Sequence, residues 1–204
     1  MKSKVFRWVP YIGILVLAVT IGASAQAPTP VHFSGLINDY SPATFVIATM
    51  SKTVGPWEIR GTWSLDLQGE SGTANFSAAL NMELSDYAVV EGIANVDTVG
   101  ARKAHTHHIT MNNATVTENP VDCPGSPAGT PGYTPQLEVN GLADVSGNGG
   151  TAFSQVPLQV CIDGGSAVQY SNVTLAFTIP AGGSNAAAGH FGSQPIRGVV
   201  RQTK

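Results

Sequence analysis

Charge is scarce in this sequence: Asp, Glu, Lys and Arg together make up 11% of its 204 residues. That excludes a nucleic-acid binder, which needs a basic patch on one face. It also excludes a coiled coil and a highly charged disordered chain. Cysteine is rarer still, with two in the whole chain and no Cys-x-x-C, so a dithiol redox motif is absent. No Gly-x-Ser-x-Gly elbow occurs, which leaves a serine hydrolase without its anchor. No phosphate-cradling glycine loop follows a strand and opens a helix. Beyond the N-terminal segment, no stretch of ten residues carries apolar side chains at helical spacing. What the chain does have is a 43% hydrophobic content, enough for a core, and a length that suits one domain.

The first 25 residues read as a secretory signal. Lys2, Lys4 and Arg7 precede an apolar run from Tyr11 to Gly22, and Ala23-Ser24-Ala25 supplies a small-x-small cleavage pattern. The run is shorter than the roughly 20 residues of a bilayer span, so no membrane span is expected after cleavage. The expected organisation is a cleaved signal over 1–25 and a single all-β domain over 26–204, secreted or periplasmic. Three of the ten basic residues and none of the thirteen acids fall in the signal, so the remainder carries seven against thirteen, a formal charge of −6. An acidic domain disfavours nucleic acid and anionic membranes as partners.

Hydrophobicity in the body alternates with period two. Trp57, Ile59, Trp63, Leu65 and Leu67 share one face, with Glu58, Arg60, Thr62, Ser64 and Asp66 on the other. Ala74, Phe76, Ala78, Leu80, Met82 and Leu84 repeat the pattern after a turn at Gly69-Glu70-Ser71-Gly72. This predicts a long antiparallel hairpin over 57–84. Further strands are expected over 31–38, 43–50, 104–111 with 114–117, 137–145, 156–162, 173–179 and about 196–201. Asn112-Asn113 interrupts one of them and reads as a bulge or turn. Eight to ten strands at this spacing predict an antiparallel β-sandwich or β-barrel, and period alone does not choose between them. Trp57 and Trp63 read as core. Asp39, Glu58, Asp86, Glu91, Glu118 and Asp122 read as solvated strand faces and loops rather than a catalytic carboxylate pair.

Two segments read as loops: the Pro-rich excursion 119–135, and the small-residue stretch 180–189. Cys123 lies in the first, and a disulfide to Cys161 is expected in an exported chain.

The chemistry that stands out is histidine. His105 and His107 lie two apart on a predicted strand and therefore share a face, which Ile109 and Met111 extend; His108 points the other way. Two imidazoles so placed can converge on a zinc, copper or iron ion if a third ligand joins them. His190, beside Phe191, is the candidate, with His32 as its substitute. Cupins and copper–zinc superoxide dismutases also carry a strand-borne His-x-His. Here Val99 and Met111 or Asn112 stand where the cupin pattern has Gly and Glu, and the dismutase's other ligands are not recognisable, so no family is assigned. Two readings remain at this point. The simpler is a non-catalytic exported module that binds a small ligand, a glycan or a protein. The alternative is a metal-binding protein or metalloenzyme built on His105, His107 and His190.

Overall fold

The computed structural model describes residues 31–41, 45–47, 52–54, 56–68, 72–85, 104–121, 123, 135–148, 150–163, 172–179, 183–192 and 194–201. The expected signal over 1–25 lies outside the described residues, as do 69–71 of the hairpin turn and 122 and 124–134 of the Pro-rich excursion. The strands are β1 (Val31–Ser41), β2 (Phe45–Ile47), β3 (Lys52–Val54), β4 (Trp57–Gln68), β5 (Thr73–Leu84), β6 (His105–Glu118), β7 (Pro135–Gly147), β8 (Gly150–Asp163), β9 (Asn172–Phe177) and β10 (Ile196–Arg201), with a short helix α1 (Ala186–Phe191) before β10.

Of the two expected architectures the chain adopts the barrel. Eight strands close in the order β1-β10-β9-β8-β7-β6-β5-β4, all neighbours antiparallel, while β2 and β3 form a separate hairpin. Apart from that inserted hairpin, each strand pairs with the next in sequence, and the pairing of β1 with both β4 and β10 shuts the ring. Closure leaves the barrel no exposed edge to template aggregation.

Period two fills the interior. The expected inner face of β4 and β5 is buried, with Ile59, Leu65, Ala74, Met82 and Leu84 fully enclosed and Leu67, near the end of β4, partly so. Each such Leu or Ile stabilises the fold by about 2 kcal/mol through apolar area removed from water. The outer face is polar: Thr62, Ser77, Asn81, His108 and Thr110 are exposed. That arrangement is the reverse of a lipid-facing barrel. No described helix is long and apolar enough to cross a membrane.

Glycine makes the closure possible. A Cβ on Gly198 would lie 2.3 Å from the Leu36 carbonyl oxygen and 2.8 Å from Ile37 Cδ1, so Ile37 fills the space that a side chain at 198 would need. Gly35 is as tightly placed against the Val199 carbonyl, at 1.8 Å from its would-be Cβ. Beside it the Trp63 indole donates to that same oxygen at 3.2 Å.

The expected break at Asn112-Asn113 is a bulge. The β6–β7 register shifts between Met111 and Thr115, and Asn113 has φ 52°. Asparagine tolerates that left-handed conformation better than most residues. Its backbone N–H donates to Asn75 Oδ1 at 3.0 Å. The bulge changes the parity of the strand: before it Ile109 and Met111 point inward, after it Ala114 does.

The disulfide is present, joining Cys123 to Cys161 with Cα atoms 5.9 Å apart. Cys161 alternates with the inward Val160 and Ile162, so it sits on the outer face of β8 yet is fully buried. Cys123 therefore lies against the outside of the barrel.

Candidate metal centre

The antiparallel order brings the start of β6, the end of β7, the start of β8 and the end of β9 to one rim of the barrel. His105 and His107 open β6 at this rim. Alternation turns both inward, and Thr106 between them turns out. There Thr106 donates from its backbone N–H (3.2 Å) and from its hydroxyl to Asn148 Oδ1, tying the start of β6 to the β7–β8 turn.

The third imidazole comes from α1. This helix begins inside the stretch 180–189 that reads as a loop and runs past it to Phe191, and the correction has a local cause. Asn185 is an N-cap: its Oδ1 accepts from the backbone N–H groups of Ala187 (3.0 Å) and Ala188 (3.2 Å). Its Nδ2 donates to the carbonyls of Pro157 (3.0 Å) and Thr178 (2.8 Å). One buried side chain thus starts the helix and fastens it to β8 and to the chain just past β9. Gly192, with φ 97°, ends it. Phe191 then stacks on Phe177 at 4.8 Å between ring centroids, which leaves His190 facing the start of β6.

The Nε2 of His190 lies 2.9 Å from the Nε2 of His107 and 3.3 Å from that of His105. The ligand atoms of all three histidines fall within 4.8 Å of one another. Tetrahedral coordination with metal–nitrogen bonds near 2.0–2.1 Å places ligand nitrogens about 3.3 Å apart. Hydrogen bonding accounts for such a cluster less well. A neutral imidazole Nε2 carries either one proton or one lone pair, so it makes one such bond. The His190 Nε2 cannot serve both neighbours at once, whereas a cation accepts all three lone pairs.

Electrostatics keeps those lone pairs available. The pKa of His107 is lowered to about 4, first by burial, then by His105 and His108, with the Ser146 backbone acting in the opposite direction. Its Nδ1 turns toward the Ser146–Gly147 backbone without closing a hydrogen bond of normal geometry. His190 is also lowered to about 4, by burial, then His107, then His105. Both are therefore neutral at ordinary pH. Aromatic rings surround the cluster: Trp57 meets His105 at 5.4 Å, Phe191 meets His107 at 5.0 Å and Phe153 meets His190 at 5.7 Å.

These shifts carry a pH dependence for the metal-free protein. The unfolded chain protonates both imidazoles as pH falls below about 6.5, while the folded barrel resists until about 4. The unfolded state therefore binds more protons in that window, and stability falls as pH falls through it. Urea unfolding in the presence of a chelator, from pH 7 to pH 4, should show this decline, and the His107→Gln/His190→Gln variant should show a shallower one. Parallel curves for the two proteins would remove these imidazoles as its source.

His32 does not join the cluster. It lies near the opposite rim, where its Nδ1 meets Asp66 Oδ1 at 2.6 Å with both side chains half-exposed. His108 points outward, as alternation requires. Sequence reading missed Asn185 and the contacts of Phe153 with the cluster, and it took Trp57 for core alone. The signal for Asn185 was present: a cap-forming Asn before Ala186-Ala187-Ala188, with Gly192 behind.

A concavity lies on the outer surface of β6, β7 and β8, beside the bulge at Asn112-Asn113. It has a volume of about 370 Å³, and its lining includes Asn112, Asn113, Asn140, Asp144 and Gln155. Asp144 Oδ1 accepts from the Gln155 backbone N–H (2.9 Å) and the Ser154 hydroxyl (2.8 Å). Those bonds hold its carboxyl below the usual range.

Compared with known proteins, the chain matches no family model, no curated protein and no solved structure.

Proposed function

We propose that this protein is an exported metal-binding β-barrel that holds one zinc, copper or iron ion through His105, His107 and His190. The observation that carries the reading is the meeting of three Nε2 atoms at one rim, two of the contacts at 2.9 and 3.3 Å. All-imidazole donors suit these transition metals. Calcium and magnesium prefer oxygen. Both cysteines are consumed in the disulfide, so no thiolate competes. Three protein ligands leave a coordination position for water or substrate, the condition for metal-assisted chemistry. The signal-like N-terminus and the disulfide support a secreted or periplasmic location. A mature protein beginning at Gln26 would agree with that.

The test is the metal content of the exported protein, purified without chelator or affinity tag. One equivalent of a single metal is expected, and its loss in His105→Ala/His107→Ala. A protein that is empty and also refuses zinc and copper at micromolar concentrations overturns the reading. The non-catalytic module would then stand, and the amide-lined recess of about 370 Å³ favours a glycan or another neutral hydroxylated ligand for it.

A further inference from the structure

Resting on the metal-binding reading above, the geometry points to a small anion from solution, carboxylate or pseudohalide in kind, as the fourth ligand of the ion. An imidazole binds a metal without giving it a negative charge, so three such donors leave a divalent ion its full double charge. Among the described residues, no carboxylate belongs to the cluster. Glu83, on the strand paired with the start of β6, alternates with the inward Met82 and Leu84 and so points out of the barrel, and other carboxylates of the barrel are engaged elsewhere. Glu58 pairs with Arg60. Asp39 accepts from the backbone N–H groups of Arg197 (2.7 Å) and Tyr40 (2.8 Å). Glu138 accepts from Gln159, and Asp144 is held by Ser154 and Gln155 on the outside of the barrel.

The surroundings raise the cost of an uncompensated charge. Trp57, Phe153 and Phe191 set rings against the three imidazoles, and rings solvate a cation less well than water does. An anion in the open position neutralises half of the metal's charge at bonding distance. The attraction is large, because so little water lies between the two. Access comes from the rim: His107 is buried, but His105 and His190 are only partly so.

Cobalt(II) tests this directly, because its ligand-field absorption reports changes in its coordination sphere. The cobalt-loaded protein is titrated with sodium azide and with sodium acetate, and sodium perchlorate controls for ionic strength. A saturable spectral change with one anion per cobalt and a Kd of about 1 mM or tighter is expected, with none from perchlorate. Cobalt that binds in the wild type and is lost in His105→Ala/His107→Ala, with a spectrum that neither anion moves, overturns the anion site and leaves the metal centre standing. Failure to take up cobalt, or uptake unchanged in that variant, overturns both.

Discussion

Replacing Cys123 and Cys161 together with alanine is expected to lower the free energy of unfolding by about 4 kcal/mol. The bond spans 38 positions, and the chain-entropy model assigns a loop of that length a restraint of about this size on the unfolded state. For a domain of this length the loss corresponds to about 8–16 °C in Tm. Alanine is the better replacement, because both positions are almost completely buried and a serine hydroxyl there would need a partner. The metal centre should survive in the folded variant. Cys161 lies on the outer face of β8 near the rim opposite His107, and its strand partners are Glu138 and Thr174. Urea unfolding of the oxidised protein and the double variant, with metal content measured beside it, separates the two effects. A loss below about 1 kcal/mol would mean that the unfolded chain is already restrained over this loop. Loss of metal together with stability would mean that the disulfide supports the rim after all.

Strand alternation was legible because burial in a barrel has a period of two and so does the sequence. Trp57 to Leu67 and Ala74 to Leu84 could be assigned to a face residue by residue, and the inward placement of His105 and His107 follows from the same rule. The bulge at Asn112-Asn113 was legible because two polar residues interrupt an apolar series. Closure was not. It depends on β1 meeting both β4 and β10, and on Gly35 and Gly198 letting backbones approach there, and neither leaves a periodic mark. His32 shows a related limit. On its strand it read as a substitute third ligand, and only the antiparallel register with β4 sets it beside Asp66 at the opposite rim. The helix was missed for a different reason. Six residues cannot display a stripe, so its sole local marks were the cap and the terminal glycine.

That helix carries the second large effect. Asn185→Ala is expected to weaken metal binding by about 10–100-fold, the usual cost of losing a residue that orients a ligand. A six-residue helix does not persist alone in water. α1 has an external anchor in Asn185, which is buried and bonded on both sides. Removing its side chain takes away the cap, worth about 1–2 kcal/mol. It also leaves the Thr178 carbonyl in need of water or a new partner, while the Pro157 carbonyl keeps the Thr178 backbone N–H at 3.1 Å. The two roles can be separated with Asn185→Asp. Aspartate still caps, since its carboxylate accepts from Ala187 and Ala188, but it cannot donate, and it sets a negative charge against two carbonyl oxygens. If fastening α1 to the rim is what positions His190, Asn185→Asp binds metal as weakly as Asn185→Ala despite its intact cap. If capping is what matters, Asn185→Asp binds as the wild type does. Zinc affinity by competition titration distinguishes these outcomes, and near-ultraviolet circular dichroism reports whether the barrel remains folded. Wild-type affinity in both variants would assign the placement of His190 to the stacking of Phe191 on Phe177 instead.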